Sequence, residues 1–284
     1  MKITPFNLLL SYFFNDFCDI VAVYMFQFFR DLYKYRELLF ALSRSYIKAR
    51  YKQTILGVGW AIVQPVVLML TIIFVFPLIA NISPDMKPYS LFVFIGFWIW
   101  TLFSNSLSFA IPNLVQNTAL LRKVYFPREI LVVAAIIPSL LDFAIGILVL
   151  FIFMFHFGVP FNIDFLLLPF LLVIFMFFTL GISLLGAVAN VAFRDVAKFL
   201  PIALQILFFA TPIIYSFNNV NGAYVKLYKA NPLTGVIDGF RSIIMRGTID
   251  NPKTLVYALI VSIVVFYTGY FIFKKGEQVM ADII

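Results

Sequence analysis

From Gly57 to Ile79 the sequence runs GVGWAIVQPVVLMLTIIFVFPLI without a charged side chain. A bilayer core of about 30 Å is crossed by about 20 such residues in a helix. Six segments meet that test: 57–79, 89–112, 130–155, 165–189, 199–217 and 255–273. The pattern predicts an all-α integral membrane protein with six transmembrane helices. Composition leaves no soluble alternative. Hydrophobic residues make up 63% of the chain and charged residues 12%, against roughly 45–50% and 25% in ordinary soluble domains.

Ahead of the first span, residues 1–35 form an arm. Its apolar stretch 6–29 is interrupted by Asn15, Asp16, Asp19 and Gln27, which are expensive in lipid, so it reads as an interfacial helix rather than a span. The net charge is +8. In a membrane chain this points to cytoplasmic ends and anionic headgroups rather than to nucleic acid. Lys and Arg concentrate in residues 1–56, at Arg122, Lys123 and Arg128, at Arg194 and Lys198, and at Lys274 and Lys275. That bias puts both termini in the cytoplasm.

Residues 36–53 read RELLFALSRSYIKARYKQ. On a helix Leu38, Leu39, Leu42, Tyr46 and Ala49 share one face, with Arg44, Lys48 and Lys52 opposite, at i, i+4, i+8. This is an amphipathic helix for the cytoplasmic membrane surface, either as plain anchor or as docking surface for a partner. In the loop 113–129, Leu114, Asn117, Leu121 and Val124 recur at helical spacing, with Pro127 near the start of the third span. A short helix there would make a second cytoplasmic knob. The long connection 217–254 contains Asn231-Pro232, an N-cap followed by Pro at the first helical position. Leu233, Val236, Ile237, Phe240, Ile243 and Ile244 then follow helical spacing. With a preceding helix around Ala223–Lys229, they predict a re-entrant outer hairpin over 222–246, or else a helical cap lying flat. A cytoplasmic tail, 274–284, ends the chain.

Chemistry-bearing motifs are sparse. No GxxxxGK[ST], HExxH or GxSxG occurs, and the single Cys and single His cannot make a His/Cys metal cluster. Asp142 lies mid-span in the third segment. It must face the interior or be protonated, as a pathway residue or as a buried hydrogen bond between helices. Arg194-Asp195 reads as an interfacial ion pair. The chain holds 36 Phe, 14 Tyr and 3 Trp, more than interfacial belts need. Aromatic faces stack on the C–H faces of sugars while tolerating movement along a chain, but packing or lipid contact is the commoner use of any single ring. A catalytic pair of separated pKa values cannot be assembled.

Taken in order, the motifs resemble one family. Thr54, Leu56, Gly57 and Trp60 match a T-x-L-G-x-x-W turn into a first span. Asn113, Leu114, Val115, Phe126 and Pro127 match more loosely. Arg194-Asp195, Thr211-Pro212-Ile213 with Tyr215, and Asn231-Pro232-Leu233 with Arg241 complete the set. The segment 36–275 is similar to the ABC-2-type permeases of bacterial polysaccharide exporters. That resemblance implies a homodimeric permease in the bacterial cytoplasmic membrane, paired with two copies of a separate ABC ATPase that carries ATP and Mg. It implies a lipid-linked polysaccharide substrate and no cofactor on this chain. Arg44, Lys48, Lys52, Asn117 and Arg122 would then contact the ATPase. Trp60, Tyr215, Asn231, Pro232, Phe240 and Arg241 would belong to the channel and its outer gate. A drug or lipid permease of the same architecture, and a membrane enzyme acting on a lipid-linked sugar, are the alternative readings.

Overall fold

In a computed structural model of the chain, residues 25–52, 54–80, 88–215, 228 and 230–283 are described. Every regular element among them is helical. Residues 25–34 are helical and lead past Tyr35 into α1 (Arg36–Tyr51). A 3-10 turn at Gly57–Gly59 precedes α2 (Trp60–Ala80). Then come α3 (Tyr89–Gln116), the short α4 (Thr118–Lys123) and α5 (Glu129–Phe157). They are followed by α6 (Leu168–Ala192), α7 (Asp195–Phe209), α8 (Pro232–Arg246) and α9 (Pro252–Ile283). The interfacial helix expected over 6–29 and the first limb of the outer hairpin fall largely outside the described residues.

Among the described residues, four helices are long and apolar enough to cross a membrane: Tyr89–Gln116, Glu129–Phe157, Ile163–Ala192 and Pro252–Glu277. They take the second, third, fourth and last expected positions, and α9 runs on as helix through the expected tail to Ile283. At the first position stands α2, with 21 residues. The fifth position departs from expectation. α7 has 15 residues, which at 1.5 Å per residue give roughly 22 Å, short of a bilayer core. It stops because Pro212 lacks an N–H and pushes the residue before it out of helical geometry. The chain turns there, with the Ile213 N–H donating to the Thr211 carbonyl at 2.7 Å.

α6 and α9 form the most extensive helix pair. Gly181 and Gly269 make it possible, since a Cβ at either would collide with the facing backbone; small residues let membrane helices approach this way. α8 packs on α9, α3 and α6. Twelve of its 15 residues are buried, so it belongs to the packed core. The larger apolar cluster joins α3, α5, α6 and α8, while the smaller gathers at the α1 end, around Phe28, Leu114, Ile130 and Tyr270.

Candidate functional site

Polar chemistry gathers at the two ends of this bundle. At the α1 end, Leu38, Leu39, Leu42 and Tyr46 pack on the smaller cluster, as the helical register predicts. Ala49 does not: it is exposed. Arg44, Lys48 and Lys52 are exposed on the opposite face. The Asn113 amide donates to the Tyr46 hydroxyl at 3.1 Å and to the Leu131 carbonyl at 2.7 Å. Asn117, the C-cap of α3, donates to the Asn113 carbonyl and side-chain oxygen at 2.9 and 2.8 Å. Burial pushes the Tyr46 hydroxyl above its ordinary pKa. α4 is the short helix expected in the loop, and it presents Arg122 at the surface. Asn117 therefore ties α1, α3 and α5 together through Asn113, one turn away from Arg122.

Asp142 finds its partners on α1. Arg50 meets it at 2.8 Å, and the Tyr51 hydroxyl donates to its other oxygen. The Arg50 guanidinium also lies over the Phe109 ring, 4.7 Å from its centroid. Asp142 thus forms a bond between α5 and α1. A second charged knot forms where α5 starts. Glu129 is fully buried and pairs with Lys274 of α9 at 2.7 Å. Lys274 also reaches Glu277 at 3.0 Å, and Arg128 donates to the Glu277 carbonyl at 3.0 Å. A cavity of about 550 Å³ opens beside this knot, lined by Asp31, Tyr35, Tyr125, Arg128, Lys274 and Lys275 among others. Arg194 and Asp195 are both exposed, and Asp195 pairs with Lys198 at 3.3 Å rather than with its neighbour.

At the opposite end, Arg241 of α8 is 5% exposed and bound by backbone carbonyls. Its Nε donates to Phe92 at 3.1 Å, Nη1 to Pro212 at 2.7 Å and Nη2 to Ile213 at 2.5 Å. The guanidinium lies 3.5 Å from the Phe92 ring centroid. Gly96 makes room for it, since a Cβ there would strike the guanidinium. The Tyr89 hydroxyl donates to the Ile214 carbonyl at 3.1 Å. Asn231 caps α8 by accepting from the Leu233 N–H at 3.0 Å, and its amide donates to the Thr211 hydroxyl at 2.9 Å. The Tyr215 and Tyr228 hydroxyls share a 2.6 Å hydrogen bond. The Thr211–Tyr215 and Asn231–Arg241 motifs, distant in sequence, therefore interlock against α3.

The candidate gate residues separate by burial. Pro232, Phe240 and Arg241 are buried, Tyr215 and Asn231 partly so, and Trp60 is 48% exposed at the start of α2. Phe240 packs edge-on against Trp98, and Trp98 stacks on Phe143 at 4.0 Å. Much of the aromatic content is thus core. Sequence reasoning missed Arg50, Tyr51, Glu129 and Lys274. The one available signal was that Asp142 and Glu129 needed cations. Nothing in local spacing named them.

Residues 37–245 match the family described as ABC-2 type transporter. Similar proteins include the O-antigen export system permease protein RfbA of Klebsiella pneumoniae, 26% identical over 249 residues, covering 87% of this chain and 95% of the relative. The O-antigen export system permease protein RfbA of Myxococcus xanthus is 26% identical over 260 residues, covering 91% and 99%. The polysialic acid transport protein KpsM of Escherichia coli is 26% identical over 243 residues, covering 84% and 93%.

Proposed function

Since the match over residues 37–245 shows that this chain belongs to the ABC-2 type transporter family, we propose that it is the membrane permease of an ATP-driven polysaccharide exporter. The observation that carries the reading is near full-length similarity to relatives named for O-antigen export and polysialic acid transport. Two copies of the chain pair with two copies of an ABC ATPase in the bacterial cytoplasmic membrane, with both termini inside. ATP and Mg²⁺ act on the ATPase. The substrate is a lipid-linked polysaccharide.

In this reading the α1 end is the cytoplasmic end. Arg44, Lys48 and Lys52 on α1, with Asn117 and Arg122 at the α3–α4 corner, receive the ATPase. A push on α1 passes to α5 through Arg50 and Tyr51 on Asp142, and to α3 through Tyr46 and Asn113. Here α2 and α7 face the path, α7 with the residues that follow it completes the fifth of six crossings, and segment 222–246 closes the outer end. Arg241 and Asn231 set the shape of that closure by holding the turn after α7.

The test is a strain lacking this chain. Surface sugar is read by periodate oxidation and hydrazide labelling of intact cells, with lysed cells as the total. The expected result is surface label at background with total label retained inside. Unchanged surface label would overturn the exporter reading.

A further inference from the structure

The sides of the bundle are not alike. On α5, α6 and α9 the exposed mid-helix side chains are apolar, among them Leu148, Ile152, Phe170, Val173, Ile260 and Val264. The exposed hydroxyls of Thr268 and Tyr257 on α9 are satisfied by the Val264 and Ala230 carbonyls at 2.8 and 3.1 Å. The flank built from α2, α3 and α7 differs. α3 packs against both of the others. Its Thr101, Ser104, Asn105 and Ser108 recur at i, i+3, i+4, i+7 and so share one face, which is half-exposed to exposed. Adjacent positions show where that face looks. Phe97 touches Phe208 of α7 at 5.3 Å, and Phe109 carries the Arg50 guanidinium. The polar face therefore opens between α7 and the α1–α2 edge.

Both neighbouring helices also carry an exposed amide. Gln64 is exposed in the outward stripe of α2, with Trp60, Val67, Thr71 and Phe74; Gln205 is exposed in that of α7, with Ile202, Ile206 and Phe209. The Thr71 hydroxyl is used within its own helix, at 2.9 Å from the Val67 carbonyl. Among the described residues, the Gln64, Asn105 and Gln205 amides have no hydrogen-bond partner. No charged residue occurs in α2 or α3, and in α7 the charges stop at Lys198. Unpaired amides on a span are tolerated where they meet water or a polar ligand, not lipid tails. An amide offers donor and acceptor together, as a hydroxyl does. Three neutral groups cannot hold an ion by charge. They can exchange hydrogen bonds with a passing row of hydroxyls.

We propose that Gln64, Asn105 and Gln205 form a neutral amide face that reads the hydroxyls of a neutral, hydroxyl-rich chain during export. This deepens the exporter reading and rests on it. Gln64 lies one turn into α2, while Asn105 and Gln205 lie farther from the α1 end, about 15 Å along α7 for Gln205. A moving chain meets them in succession, and no single contact arrests it.

The test uses the full permease–ATPase complex in cells. Gln64→Leu, Asn105→Leu and Gln205→Leu are made singly and together, with Asn105→Gln and Gln205→Asn as conservative controls. Surface label by periodate–hydrazide is read beside ATPase co-purification and ATP hydrolysis in membranes. The triple Leu variant should export about tenfold more slowly, and each single variant a few-fold, with assembly and hydrolysis retained. The Gln and Asn exchanges should restore most of the rate. Normal export in the triple variant overturns the proposal. So does loss of assembly, in the triple or the single variants, which would make the amides contacts between two copies of the chain. The deletion strain separates the two levels. If deletion abolishes surface label and the Leu variants do not, the amide face falls and the exporter stands. If deletion leaves label unchanged, the exporter reading itself falls.

Discussion

The two ends of the bundle are both tied by cations, partly buried at the α1 end and buried at the other, and in opposite ways. At the α1 end each cation faces carboxylates: Arg50 on Asp142, and Lys274 on Glu129 and Glu277. At the far end Arg241 binds three backbone carbonyls. A carboxylate–cation pair can open and re-form on a rotamer change, and Lys274 already shares itself between two partners. A guanidinium on carbonyls holds the course of the main chain itself, the turn at Pro212–Ile213 against α3. The first arrangement suits an end that is pushed and released by a partner. The second suits an end whose shape must survive that push.

The sharpest break of this contrast is at Arg241. Arg241→Met would leave three carbonyls without their donor in a dry site. The expected loss is about 3–5 kcal/mol, because each carbonyl carries its own desolvation cost. Arg241→Lys should rescue little, since an ammonium lacks the planar fork that meets three divergent oxygens. Thermal unfolding of the purified complex in detergent measures both. A lysine variant as stable as wild type would show that charge, rather than geometry, holds this end.

At the charged end the pair should behave asymmetrically. Lys274→Met alone strands Glu129, which is fully buried, at an expected cost of about 3 kcal/mol. Adding Glu129→Leu should recover most of that, since an apolar pair of similar volume replaces a buried ion pair at little net cost. The same unfolding assay decides it. If the double variant is as unstable as the single one, the knot is held by more than these two groups, with the Tyr270 hydroxyl on Glu129 the next to examine.

A smaller effect is expected on the exposed face of α1. Arg44→Glu with Lys48→Glu should weaken ATPase association by about tenfold, as charge reversals at an interface rim do, without moving the unfolding temperature. Co-purification at rising salt measures it. Unchanged association would move the docking surface elsewhere, with Arg122 on α4 the next residue to test.

Much of this contrast could be read in the sequence, and the unread part has a physical reason. Asn231-Pro232 announces the start of α8 and also supplies the bond to Thr211. The amphipathic register of 36–53 places Leu38, Leu42 and Tyr46 inward correctly. The early stop of α7 was signalled by Pro212, but Ile213, Ile214, Tyr215 and Phe217 keep the stretch beyond it mostly apolar, so hydropathy carries the helix onward where backbone chemistry ends it. Asp142 announces that it needs a partner. Only the fold can bring Arg50 to it across more than ninety positions. The aromatics show the deeper ambiguity: a ring that lines a path and a ring that fills a core have the same sequence signature. Trp98 proves to be core, stacked on Phe143 and donating to its carbonyl at 3.0 Å.

Tyr215 stands between those two uses, and it allows the finest test of the far end. A ring used only for stacking on sugar would tolerate Tyr215→Phe. Here, however, its hydroxyl is 2.6 Å from the Tyr228 hydroxyl and 3.1 Å from the Phe209 carbonyl, and its ring meets Tyr228 edge-on at 5.9 Å. The hydroxyl joins the end of α7 to the segment just ahead of α8, beside the motif that Arg241 secures. Losing it should destabilise by about 1 kcal/mol or less, the net worth of one partly exposed hydrogen bond. Tyr228→Phe should lose no more than that, since the Tyr215 hydroxyl keeps the Phe209 carbonyl, and the double variant should add little to Tyr215→Phe, because the two hydroxyls share one bond. Tyr215→Ala removes ring and hydroxyl together and should slow export beyond what Phe does. If Phe exports as wild type while Ala fails, the ring matters and the bond does not. If Phe and Ala are equally slow, the hydroxyl's link across the turn is the working part of Tyr215, and the far end is held by side-chain contacts as well as by the carbonyls around Arg241.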